Sequence, residues 1–186
     1  MAFYCSVLFL AVMALAAASD PNCENLTKTV EDEKTLYGKW LLYAATADCD
    51  KNLQELKTIN SSWIELSPLG DGKDMVLRYG DNWRGSCEFG TVNATNDGNV
   101  TRATFHYNST SHEHVGRHIA TCPDSVLWTD FSTTDDNTLC RSLYLFTKTG
   151  KLDDSHQEYF KKQLECLNFK SELLIWENPV YCQDGM

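Results

Sequence analysis

The residues with the clearest capacity for chemistry are a run of histidines and a lone cysteine-proline pair. In His-Glu-His-Val-Gly-Arg-His, His112, His114 and His118 fall on one face if the segment is extended, and His106 lies just before them. Converging imidazoles bind zinc or copper. The run is not the His-Glu-x-x-His signature of metalloproteases, because Gly116 stands where the second histidine belongs. Without a carboxylate in fixed geometry, the expectation is solvated histidines beside a polar loop and no metal. Cys122, next to Pro123, has a nucleophilic atom but no base in sequence reach, and a buried thiol is usually inert. The chain has no Gly-x-Ser-x-Gly elbow, phosphate loop or dinucleotide fingerprint. Nothing in the motifs calls for catalysis or a cofactor, so the chemistry to expect is binding.

Modification and export are written more plainly. Asn25, Asn60, Asn93, Asn99 and Asn108 each begin Asn-x-Ser/Thr, the acceptor pattern for N-glycans. The chain has 8 cysteines in 186 residues, a density that suits an oxidising compartment. Residues 1–19, MAFYCSVLFLAVMALAAAS, are uncharged and end in small residues. They read as a signal peptide, with Ala16-x-Ala18 or Ala17-x-Ser19 at the cleavage site. What remains, 20–186, is the size of one domain. The net charge of −10 repels phosphate backbones and argues against nucleic acid. No later segment approaches the ~20 apolar residues of a membrane span. A secreted, soluble monomer is expected.

The elements that must position these residues are short, aromatic and β-branched, with turn residues between them. GKWLLYAATA (38–47) opens the series, and WIELSPLGDGKDMVLRY (63–79) reads as strand, turn, strand. SCEFGTVNATNDGNVTRATFHY (86–107) holds an Asn-Asp-Gly-Asn turn between two alternating runs. VGRHIATC, SVLWTDFST and CRSLYLFTKT follow, giving eight strands in a sandwich or an up-and-down barrel. Then the period becomes helical in DDSHQEYFKKQLECLNF, with Asp153 and Asp154 at the end where a helix favours acid. A last strand, SELLIW, closes the order.

Gly38-Lys39-Trp40 on the first strand, after a leader and before a late helix flanked by cysteines, resembles the lipocalin family. Within it the likeness is to the α1-acid glycoprotein branch: LeuArgTyr (77–79) followed by Cys87, GlyAsnValThrArg (98–102), and LeuGluCysLeu (164–167) before Cys182. ThrCysProAsp (121–124) is closer to the apolipoprotein M branch. Two features depart from the family pattern. Cys122-Pro123-Asp124 replaces Thr-Asp-Tyr, and only Lys148 or Lys151 can stand in for the arginine that packs on the tryptophan.

The resemblance implies an all-β, eight-stranded up-and-down antiparallel barrel with one C-terminal α-helix and a late ninth strand. Trp40 would plug the barrel floor beside Gly38. The resemblance also implies Cys23–Cys166 and Cys87–Cys182 disulfides. Cys49 and Cys140 would both sit at the open mouth and could pair, leaving Cys122 as the odd thiol. If Asn99 faces water, alternation sends Arg102, Thr104 and His106 inward; Asn93 facing water sends Glu88, Gly90 and Val92 inward. The resemblance places Arg102, Tyr79 and Phe146 at cavity positions, with Glu88 as a partner for Arg102. The expected ligand-binding set is Trp63, Tyr79, Arg102, His106, Trp128, Tyr144 and Phe146. The implied function is a secreted carrier of a small hydrophobic or amphipathic molecule, such as a lipid, toxin, organotin or drug-like compound. Fish members of this branch bind toxins and tributyltin. Two other classes remain: a thiol-dependent lipocalin enzyme, and an immune or protease-inhibiting interaction lipocalin with apolar mouth loops.

Overall fold

A computed structural model describes residues 21–107, 110–133 and 138–183. The expected leader, Asn108 and most of the β7–β8 loop lie outside the described residues. Eight antiparallel strands follow one another around a barrel: β1 (Gly38–Ala47), β2 (Ile59–Leu69), β3 (Asp74–Trp83), β4 (Ser86–Asp97), β5 (Val100–Tyr107), β6 (Thr110–Ile119), β7 (Ser125–Thr133) and β8 (Leu139–Thr147). Each pairs with the next, and β1 closes the ring by pairing with both β2 and β8. A register shift between Leu42 and Ala44 accompanies this double duty, as a bulge does where a strand bends. β9 (Leu174–Ile175) adds outside the ring against Ala44 and Ala45. β4 and β5 pair only near their shared turn, Ala94–Asp97 with Val100–Ala103, so the two strands part toward the mouth.

Helices occupy the outside and the ends. α1 (Pro21–Leu26) precedes the barrel, α2 (Asp50–Leu56) lies in the β1–β2 connection, and α3 (Asp154–Cys166) packs late in the chain. The α3 N-terminus is capped by Asp153, whose carboxylate accepts from the His156 backbone N–H at 2.8 Å. Phe160 of α3 meets Tyr43, Ile119, Leu127, Leu143 and Leu145 on the outer wall, forming a core separate from the barrel interior. α2 was not foreseen. Its sequence, DKNLQEL, is polar except for Leu53 and Leu56, which are both buried and lie three residues apart, one turn of a helix.

The floor is built as the Gly-x-Trp motif requires. Trp40 is buried, and its indole N–H donates to the Leu36 carbonyl at 2.6 Å. The Lys148 ammonium lies 3.4 Å from the Trp40 ring centroid, so Lys148, not Lys151, fills the arginine's place. Gly38 has φ +112°, and a Cβ there would come within 2.9 Å of Lys148 Nζ. The positive φ is what calls for glycine, since the lysine tip could shift.

The disulfides are Cys23–Cys166, Cys49–Cys140 and Cys87–Cys182, with Cys122 unpaired. The first ties α1 to α3. The second fastens the start of α2 to β8 at the mouth, and the third holds the C-terminal tail on β4. Asn25, Asn60, Asn93 and Asn99 are all exposed.

Candidate ligand cavity

The barrel encloses a cavity of about 880 Å³, within the range that holds a drug-sized ligand. Its depth is apolar: Leu42, Leu66, Met75, Ala94, Ala103 and Phe146 line it above the Trp40 plug. Strand alternation decides which side chains reach it. On β3, Met75, Leu77, Tyr79, Asp81 and Trp83 face in, and on β8, Tyr144 and Phe146 do. The Tyr144 and Phe146 rings stack at 6.4 Å, and Tyr79 meets Phe105 at 5.7 Å. Tyr79 and Trp128 fold across the wall over Gly90 and Gly116. A Cβ at either glycine would run into the neighbouring ring, at 2.3 Å and 2.6 Å respectively.

Four of the seven expected ligand residues, Tyr79, Trp128, Tyr144 and Phe146, therefore line the cavity. The other three do not. Arg102 is exposed on the outer face, where its guanidinium lies 3.8 Å from Glu113. His106 is also exposed and pairs with the Ser111 hydroxyl at 2.8 Å. The reason is one of phase. Asn99 sits in the two-residue turn between β4 and β5 rather than on a strand, so its exposure says nothing about which face of β5 is inward. Thr101, Ala103 and Phe105 face in, and Arg102, Thr104 and His106 face out. Glu88 does line the cavity, but it is not a partner of Arg102. Trp63 also points outward, since its neighbours Ser62 and Ile64 are the inward ones. It is buried beneath the C-terminal tail: its indole N–H donates to the Cys182 carbonyl at 3.0 Å, and the Lys39 ammonium lies 4.0 Å from its ring.

The polar interior comes mostly from residues the sequence reading set aside. His112, His114 and His118 face the lumen rather than solvent. His114 Nδ1 lies 2.8 Å from Oδ2 of Asp130, whose side chain is fully buried. His118 packs against Trp128 with the ring centroids 4.7 Å apart and tilted by 47°, and burial pulls its pKa down to about 4. Asp81 moves the other way: burial lifts it to about 6 against the help of the Ser62 hydroxyl, and nearby Glu88 adds to the rise. The Tyr144 phenol is pushed up by burial first and then by the negative charges of Asp130, Asp81 and Glu55. These carboxylates thus act on one wall of the cavity. Among the described residues, no three His, Cys, Asp or Glu side chains converge as metal ligands do.

The mouth is partly roofed by α2. Lys51, Asn52, Glu55 and Leu56 line the cavity from above. The Asn52 amide donates toward the Ser132 and Ser142 hydroxyls, each at 3.3 Å, and Cys49–Cys140 anchors the helix start. Cys122 is not a wall residue. It is buried near the closed end under α3, with its sulfur 3.9 Å from the His156 carbonyl, and burial raises its pKa. Its sulfur is therefore not among the groups that line the cavity.

No protein-family model matches this sequence, and no curated protein does. Comparison of structures does find relatives. A siderocalin with a dual ligand binding mode matches with a TM-score of 0.65 at 14% identity, covering 83% of this chain and 96% of that one. The bovine lipocalin allergen Bos d 2 gives 0.64 at 14% identity, covering 78% and 94%. Aphrodisin, a sex pheromone from female hamster, gives 0.61 at 14% identity, covering 75% and 93%. At that identity the likeness speaks for architecture. With its closed eight-stranded barrel, plugged floor and late helix, the chain has the lipocalin fold.

Proposed function

We propose that the protein is a secreted glycoprotein carrier that holds one small hydrophobic or amphipathic molecule inside the barrel. The observation that carries this reading is the cavity of about 880 Å³, apolar in its depth and polar near its rim. Affinity comes from apolar surface taken out of water, worth ~25 cal/mol per Å². The few inward polar groups set orientation. Three disulfides, four exposed acceptor asparagines and the leader-like segment 1–19 support export and glycosylation. Among the described residues, no helix is long and apolar enough to cross a membrane. The comparison structures include proteins described as siderocalins and an odorant binding protein, which fits a small-ligand role. The α1-acid glycoprotein branch is the affiliation the motifs suggest, but the outward Arg102 removes its cavity arginine from the supporting set.

The test is a titration with phenylnaphthylamine, a neutral probe that fluoresces in apolar surroundings. One molecule should bind per chain. Ala103→Trp fills the middle of the cavity and should weaken binding ~tenfold or more, because the overpacked site can no longer admit the probe. Unchanged binding in that variant would put the probe on the surface and defeat the carrier reading.

A further inference from the structure

The His114–Asp130 pair has no role in holding the barrel together that a simpler pair would not fill. Asp130 is wholly buried, its Oδ2 faces His114 Nδ1 at 2.8 Å, and its Oδ1 has no hydrogen-bond partner. A buried carboxylate with an unsatisfied oxygen costs stability. Its geometric effect is to fix the imidazole: Nδ1 carries the hydrogen, and the other ring nitrogen, Nε2, is left without a protein partner among the described residues. His114 lines the cavity, with the edge-on ring of Phe105 at 4.9 Å. A ring so oriented presents a lone pair to the lumen when neutral and an N–H when charged.

Building on the carrier reading, we infer that His114, oriented by Asp130, is the polar anchor of the cavity. It selects a ligand with a cationic or hydrogen-bond-donating head, to which the free Nε2 and the carboxylates of the same lumen are complementary. The surroundings agree in sign. Facing the same lumen are Glu55 from α2, Asp81 from β3 and Glu88 from β4, while Lys51 and Arg84 stand at the mouth, on α2 and in the β3–β4 turn. Among the described side chains, β1, β2 and β5 add no ionisable group to the lining, and β8 adds only Tyr144, whose phenol burial keeps protonated. On β6 itself, His112 sits nearer the mouth and His118 deeper. His118 stays neutral until about pH 4, so it does not compete in milder acid. Asp81, with a pKa near 6, loses its charge as pH falls below that value. That loss disfavours a bound cation.

Three probes on the full chain test this: dansylcadaverine as the cation, dansylundecanoic acid as the anion and phenylnaphthylamine as the neutral control. At about pH 8 the amine should bind ~tenfold tighter than the acid, and lose ~tenfold or more by about pH 5, the scale of one charge interaction in a shielded site. His114→Gln should weaken the amine ~tenfold at pH 8 and leave the neutral probe unchanged. If the neutral probe binds but the amine is indifferent to His114→Gln, the anchor is wrong and the carrier reading stands. If the wild-type protein binds none of the three, the carrier reading falls and takes the anchor with it.

Discussion

Asp81 and His118 face the same lumen and titrate in the same acid range with opposite consequences for folding. Asp81 is raised to about 6, so the native state holds a proton that the unfolded chain has already released. Its cost, about 3 kcal/mol, is present above pH 6 and disappears as pH falls below the ordinary carboxylate value. His118 is lowered to about 4, so stability is lost as pH falls from its ordinary value through 4. In the wild type the two trends oppose each other. Asp81→Asn should therefore be more stable than the parent at pH 7 and no different near pH 4, with the acid loss from His118 now visible in between. Urea unfolding across that pH range is the check; a constant difference at every pH would show that Asp81 carries no raised pKa. Trp40→Ala should cost ~3–5 kcal/mol, as large aromatic deletions in cores do, and a variant that unfolds like the parent would make the floor contact incidental. Asp81 and Asp130 were legible in principle. Tyr79 was expected inward, and two residues further along the strand is Asp81, which lines the cavity; from Trp128 the same step reaches Asp130, on the same face of β7. An acidic residue on a strand otherwise reads as solvent-facing.

At the scale of elements, phase separates what the sequence reveals from what it hides. β4 was oriented correctly because Asn93 lies on the strand itself. β5 was inverted because Asn99 belongs to a turn, and a one-residue error moves every side chain to the other face. Trp63 misled for a different reason: its burial comes from the tail and not from the barrel, a long-range contact that no local pattern shows. α3 is fastened by one polar residue. The buried Gln163 amide donates to the Leu26 and Ala120 carbonyls, each at 2.8 Å, and accepts from Thr121 at 2.7 Å. Gln163→Leu would leave those three groups unpaired, at ~1–3 kcal/mol for each that stays dry. Hydrogen exchange should accelerate in the segment around Leu26 and leave β2–β4 protected. Uniform acceleration, or none, would mean that Gln163 does not carry this junction.

Across the whole molecule the cross-links divide the work. Cys23–Cys166 joins α1 to α3 across 143 residues, Cys87–Cys182 fastens the C-terminal tail to β4 across 95, and Cys49–Cys140 holds the mouth helix. Replacing Cys49 and Cys140 by alanine should cost ~4–5 kcal/mol on the loop-entropy model. The same variant should release the neutral probe faster, because α2 would lose its covalent tie to β8 and keep only weaker contacts such as the Asn52 hydrogen bonds and the buried Leu53 and Leu56; an unchanged off-rate would exclude α2 from gating. Barrel, floor and late helix were legible because few residues specify them, as Gly38-x-Trp40 does. The chemistry of the lumen was not, since it depends on strand phase and on carboxylates hidden behind the wall. The central claim is that this lumen carries a molecule in life. Native mass spectrometry of the protein purified from its own fluid, with glycans removed, addresses it most directly. The account predicts one small molecule per chain, lost on unfolding and lost first from the mass envelope in mild acid; a bare chain that also takes up none of the three probes would contradict it.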